Sequence, residues 1–173
     1  RKGVARPAIL GADTAPRRRP GLVTVATAPA NPSGLLARVP EAMWVDALGA
    51  DAEHTLSSAM AAASVVVLGP GLGRGAWAQQ VIGALASYDG PLVIDADGLY
   101  WLADTAQART LKNRGAPLFL TPHAGEAARL LECSTGEILS NPRQAVIDMT
   151  ERFSAPCLLP GPGTSLGPPV GQA

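Results

Sequence analysis

Apolar residues along this chain follow two rhythms, and the switching between them predicts its elements. Leu22–Thr27, Leu-Val-Thr-Val-Ala-Thr, is apolar and β-branched and predicts a strand. Ser64–Leu68, Pro91–Asp95, Pro117–Leu120 and Pro156–Leu159 predict further strands. Pro91–Asp95 is apolar almost throughout, as expected where both faces of a sheet are covered. Between the strands the rhythm becomes helical. Asp51–Ala63 places Leu56, Ala59, Met60 and Ala63 on one face, and Ala76–Ser87 turns Val81, Ile82 and Leu85 inward. Leu99–Ala103, Thr105–Lys112 and Glu126–Leu131 predict shorter helices. Asn141 reads as a helix cap with Pro142 at the first helical position, and the helix beyond them turns Val146, Ile147, Met149 and Phe153 inward. Ala28–Gly34, with two prolines and a glycine, predicts a loop.

Strands alternating with helices about every 25–30 residues predict an α/β fold with a parallel sheet and crossover helices. Ligands of such sheets bind beyond the carboxyl ends of the strands. Three chemically distinctive stretches each follow a predicted strand, so all three are expected on one rim. They are Gly69-Pro70-Gly71-Leu72-Gly73, Asp95-Ala96-Asp97-Gly98 and Thr121-Pro122-His123-Ala124-Gly125-Glu126.

Composition narrows the function classes. Apolar residues make up 47% of the 173 and aromatics only 4%, so the core is built from Ala, Val and Leu. Fourteen Lys and Arg balance fourteen Asp and Glu, which leaves no global basic field for nucleic acid or acidic lipid. The Arg17-Arg18-Arg19 cluster, flanked by Pro16 and Pro20, reads as a solvated loop. Cys133 and Cys157 lack CxxC or metal-ligand spacing and read as small apolar residues of a reducing compartment. No apolar run reaches membrane-spanning length and no signal peptide opens the chain, so a cytoplasmic protein is expected. Arg1 opens the chain, and Pro156 to Ala173 holds five of the 16 prolines. The expectation is a single partial domain over residues 1–173, with divergent or poorly ordered ends at 1–20 and 160–173.

The motifs carry the chemistry. Glycines admit a phosphate close to the main chain, and the following helix turns its amide end toward the anion. Gly71, Gly73 and Ala76 also fit the dinucleotide pattern GxGxxG/A, with Asp95 ending the next strand, so a nicotinamide oxidoreductase stays open. A tight turn with no ligand is the plainer alternative. Of Asp95 and Asp97, one can cap the helix that follows; the other can meet a ribose hydroxyl or the water shell of a magnesium ion. Glu126 can simply offset a helix dipole, or it can join His123 and Gly125 in a loop that grips substrate. Arg129, one turn after Gly125, can add a charge-assisted bond to phosphate.

Taken in order, Gly69–Gly73, Val93–Leu99 and Thr121–Leu130 resemble the ADP/ATP-dependent NAD(P)H-hydrate dehydratases of the ribokinase-like superfamily. The likeness runs from about Gly21 to Phe153. It implies a truncated three-layer ribokinase-like fold with a mainly parallel sheet flanked by helices. It also implies repair of hydrated NADH or NADPH, with ADP or ATP and Mg²⁺ as cofactors. A phosphoryl donor makes chemical sense, because hydroxide leaves poorly and phosphate leaves well.

Carried over, Gly71, Gly73, His123, Gly125, Glu126 and Arg129 would line the substrate pocket, with Asp95 and Asp97 at its rim. Gly161, Gly163 and Thr164 would face the nucleotide. The resemblance further implies a homo-oligomer. The sequence departs from the family pattern at three places. Ile9-Leu10-Gly11 is only a trace of the opening glycine-rich turn. Pro160-Gly161-Pro162-Gly163-Thr164 lacks the expected lysine, and no Gly-Gly-x-Gly-Asp motif with its catalytic Asp is present. Impaired turnover is therefore expected. A vitamin kinase of the same fold and a non-catalytic copy are the remaining alternatives.

Overall fold

The computed structural model describes residues 23–27, 37, 39–40, 42–48, 51–103, 105–112, 114–161 and 164–167. The loop expected at Ala28–Gly34, the Arg17–Arg19 cluster, the Ile9–Gly11 trace and Gly163 lie outside them. Two compact units are present, Arg1–Ala63 with Pro70–Tyr88, and Ser64–Gly69 with Asp89–Ala173.

The first unit holds strands β1 (Thr24–Thr27) and β2 (Met43–Asp46) and helices α1 (Ala52–Ala61) and α2 (Ala76–Ala84). β1 and β2 pair in parallel, Thr24 opposite Met43 and Thr27 opposite Asp46. β2 was not expected from the sequence: four residues, Met-Trp-Val-Asp, are too few to display a period. Val25 and Trp44 pack on buried Val39 and Ala42. In α1, Leu56 and Met60 are buried, whereas Ala59 is half-buried and Ala63 lies beyond the helix end. In α2, Ile82 is buried, but Val81 is only half-buried and the inward position falls to Ala78. The helix tightens at Leu85–Ser87 into a 3₁₀ turn with Leu85 buried. Two long-range bonds fasten this unit, Trp77 Nε1 to the Ala47 carbonyl (3.0 Å) and Tyr88 Oη to the Ala63 carbonyl (3.4 Å).

The second unit is built on strands β3 (Val66–Leu68), β4 (Leu92–Ile94) and β5 (Leu118–Leu120), all parallel in the order β3-β4-β5. Helices α3 (Asp97–Ala103) and α4 (Thr105–Lys112) connect β4 to β5. Beyond β5 come α5 (Ala124–Leu131), α6 (Thr135–Ser140), α7 (Pro142–Phe153), β6 (Leu158–Leu159) and β7 (Ser165–Leu166). A parallel bridge between Leu120 and Cys157 attaches the end strands, which pair with each other antiparallel.

Ile94 and Leu120 are wholly buried at the centre, and each contributes roughly 1.5–3 kcal/mol by leaving water. Val67 in β3 is 60% exposed, so that strand is covered far less than β4. Asn141 caps α7 as expected, its side chain accepting from the Gln144 amide (3.3 Å). Val146, Met149 and Phe153 are buried there, but Ile147 is half-buried, and Ala145 and Thr150 complete the inner face. α6 and β7 were also unexpected. β7 is two residues long; α6 carries a legible signal, since Ser134 and Glu137 form a capping box. Both cysteines are free, and burial pushes the Cys157 thiol up to about 12. Among the described residues no helix is long and apolar enough to cross a membrane.

Candidate functional site

Parallel register decides where the site lies. Leu68 pairs with Ile94 and Ile94 with Leu120, so Gly69, Asp95 and Thr121 leave the sheet along one edge. The Asp95 amide donates to the Leu68 carbonyl (3.0 Å) and the Thr121 amide to the Ile94 carbonyl (3.1 Å), which ties the three exits together.

The first two turns touch through their backbones. Gly69 has φ +136°, and a Cβ there would stand 1.7 Å from the Asp95 carbonyl oxygen. A Cβ on Gly98 would stand 2.6 Å from the Leu68 carbonyl oxygen. Only glycine fits either position, because the opposing atoms are main chain and cannot step aside. Ala96 takes the left-handed region at φ 48°, and the Gly98 amide donates to the Asp95 carbonyl (2.9 Å). This sharp turn sets Asp95 and Asp97 on either side of Ala96, both half-buried. α3 begins at Asp97, two residues earlier than the sequence predicts.

The third stretch is organised by its own helix. His123 is the N-cap of α5, and its Nδ1 accepts from the Gly125 amide (3.0 Å). Glu126 reaches back, Oε2 accepting from the His123 amide at 2.9 Å. His123 Nε2 lies 3.2 Å from Glu126 Oε1. With Nδ1 accepting, the neutral tautomer carries its proton on Nε2, close to the Glu126 carboxylate. The His123 side chain is 68% exposed and that of Glu126 15% exposed. These side chains therefore satisfy the helix end themselves, leaving an imidazole edge open to solvent.

The remaining expected residues are distributed as follows. Gly161 and Thr164 lie between β6 and β7, and the Leu120–Cys157 bridge runs β6 parallel to β5 toward the same edge. Gly71 and Gly73 have φ of +76° and +71° and belong to the first unit, on the way into α2. Arg129 is not brought to the His123 cluster. It sits near the far end of α5 with its guanidinium over the Tyr100 ring, 5.6 Å from the centroid. There it joins Arg109, Lys112 and Arg152 around a cavity of about 350 Å³. Sequence reasoning missed that grouping, since the four cations come from three helices separated along the chain.

The profile of the NAD(P)H-hydrate dehydratase family matches residues 4–171, nearly the whole chain. The chain belongs to the NAD(P)H-hydrate dehydratase family. The bifunctional NAD(P)H-hydrate repair enzyme Nnr of Coxiella burnetii is 38% identical over 155 residues, covering 90% of this chain and 30% of that protein. Among solved structures, an ADP/ATP-dependent NAD(P)H-hydrate dehydratase from Bacillus subtilis, co-crystallised with ATP/Mg²⁺ and soaked with CoA, superposes with a TM-score of 0.73. The pair is 22% identical, and the match covers 95% of this chain and 61% of that one. A ribokinase-like superfamily protein from Enterococcus faecalis gives a TM-score of 0.72 at 24% identity, over 93% of this chain and 57% of that one. The fold of this family member is thus ribokinase-like α/β, as the resemblance implied. It spans about a third of the Coxiella protein's length and about three-fifths of these solved chains. The matches favour neither the vitamin-kinase nor the nicotinamide-oxidoreductase reading.

Proposed function

We propose that this chain contributes the substrate-binding rim of a dehydratase that restores NADH or NADPH from their hydrates, using ADP or ATP with Mg²⁺. The observation that carries the reading is the gathering of the Gly69 turn, the Asp95–Asp97 turn and the His123–Glu126 cap along one sheet edge in a family member.

Each group has a chemical use there. Asp95 and Asp97 offer oxygen donors for a ribose hydroxyl. Two carboxylates also match the protein share that Mg²⁺ commonly takes, the rest being water and phosphate oxygens. Bound, the metal would neutralise charge on the phosphoryl donor. The hydroxyl oxygen of the hydrate takes the terminal phosphoryl group of the donor, whose bridging P–O bond breaks to release ADP from ATP or AMP from ADP, while the hydroxyl proton passes to solvent or a nearby base. Phosphate then leaves with the carbon–oxygen bonding pair, a ring proton is lost, and the double bond returns. His123 presents an oriented imidazole whose tautomer the Gly125 amide fixes, with Nε2–H suited to donate to a substrate carbonyl or hydroxyl oxygen. Gly161 and Thr164 are the described candidates for nucleotide contact, and Gly71 and Gly73 are candidates from the first unit.

The test has two readouts. Calorimetry with hydrated NADH should show saturable binding to this chain, weakened about tenfold in Asp97→Asn, as expected when one charged hydrogen bond is lost. Return of NADH absorbance, with ATP or ADP and Mg²⁺, should then be compared between the unsubstituted protein and the same variant. Binding indifferent to Asp97 and His123 refutes the assignment of the rim.

A further inference from the structure

We propose that the cavity bordered by α3, α4, α5 and α7 binds a small phosphate-class anion, at a site separate from the rim. Arg109 and Lys112 reach it from the last turn of α4, Arg129 from the last turn of α5, and Arg152 from the last turn of α7. α5 has eight residues, so its two ends stand about 12 Å apart at 1.5 Å per residue. His123 occupies one end and the cavity the other.

Cations near helix C-termini are ordinary, because each offsets the partial negative charge of the last carbonyls. That explanation accounts for one cation per helix, and it does not require them to converge. Here they do. Among the described residues lining the cavity, four cations meet a single carboxylate, Glu132, which already pairs with Arg152. Two of the others, Lys112 and Arg129, are turned onto aromatic faces. Lys112 Nζ lies 4.3 Å from the Phe153 ring centroid, and Arg129 lies over Tyr100. Partial burial, and then the nearby Arg152 charge, lower the Lys112 pKa from its ordinary value, so Lys112 and Arg152 repel each other. A multivalent anion would relieve that repulsion.

The chemistry of the walls sets the ligand class. Guanidinium forks and an ammonium match phosphate oxygens. Leu102, Leu130 and Phe153 add an apolar side. The volume of about 350 Å³ admits a phosphoryl group with a small organic portion, or two phosphoryl groups. This inference does not depend on the dehydratase reading.

Inorganic pyrophosphate and phenyl phosphate are the probes, titrated calorimetrically at low salt and followed by arginine side-chain NMR. Saturable binding is expected for at least one of them, with the Arg109 and Arg129 side-chain signals shifting. Arg109→Gln with Lys112→Gln should weaken it at least tenfold, while His123→Ala leaves it unchanged. All four cations are exposed, so these changes spare the core, and an unaltered melting temperature verifies it. Tighter binding of phenyl phosphate identifies a phosphorylated organic ligand; tighter binding of pyrophosphate identifies an inorganic one. Binding of neither probe, affinity indifferent to the double substitution, or loss of binding in His123→Ala overturns the proposal.

Discussion

The two ends of helix α5 meet the same dipole with different chemistry. At the first turn the amides of His123, Gly125 and Glu126 are taken up by the Glu126 carboxylate, the His123 ring and the His123 carbonyl. At the last turn Arg129 turns outward to Tyr100 and shares a cavity with cations from two other helices. The first end is served largely by its own residues, and what it offers a ligand is chiefly a positioned imidazole. The second holds four cations against the single carboxylate of Glu132 among the described lining residues. A ligand site is therefore better recognised by what local partners leave over than by the residue types it contains.

The rim supplies the largest test of this contrast, because its turns are in backbone contact. Gly69→Ala should cost about 3 kcal/mol or more, since the new Cβ meets the Asp95 carbonyl and φ is positive. Gly73→Ala, with nothing within 4 Å of its Cβ, should cost only about 1 kcal/mol of backbone strain. Urea unfolding of both variants separates contact from strain, and equal losses would mean the turns do not touch.

Next in size, His123→Ala should destabilise by about 1 kcal/mol through loss of the cap. Arg129→Gln should stay within about 0.5 kcal/mol, as for an exposed side chain. If the two variants melted together, the two ends of α5 would be alike and the comparison would fail.

Ala96→Gly should raise stability by somewhat less than about 1 kcal/mol, because relief of the left-handed backbone outweighs the added freedom of the unfolded chain. Thermal unfolding checks the sign, and a loss would show that the Ala96 methyl packs usefully.

The smallest effect concerns pH. The Ser134 hydroxyl, and then its amide, hold the Glu137 carboxyl below its ordinary range. A depressed folded value means the capping box stabilises above the unfolded pKa and weakens as pH falls through the folded one. A carbon-detected NMR titration should place Glu137 below a free glutamate, and Ser134→Ala, which removes the hydroxyl but keeps the amide, should move it part of the way back.

Much of the fold was legible because apolar runs and turn residues are local signals. β3, β4 and β5, with Pro and Gly at their borders, stood where the sequence placed them. Asn141-Pro142 named its own helix start. α6 was legible too, through Ser134 and Glu137, yet a six-residue helix without an apolar stripe offers no period. β2 and β7 exist by virtue of their partners, since two to four residues gain a strand's hydrogen bonds only when another strand lies alongside. In the site, the carboxylates and the histidine loop could be named from the sequence. The left-handed Ala96, the cap geometry of His123 and the partner of Arg129 could not.

By itself, then, the sequence determined the order of strands and helices and the three loops that leave the sheet at one edge. Both follow from periodicity and from the rule that parallel strands end on the same side. Only the tertiary structure decided which side chains serve their own backbone and which keep charge to offer. That depends on distances between helices far apart along the chain, where Coulomb and hydrogen-bond energies act and local sequence is silent.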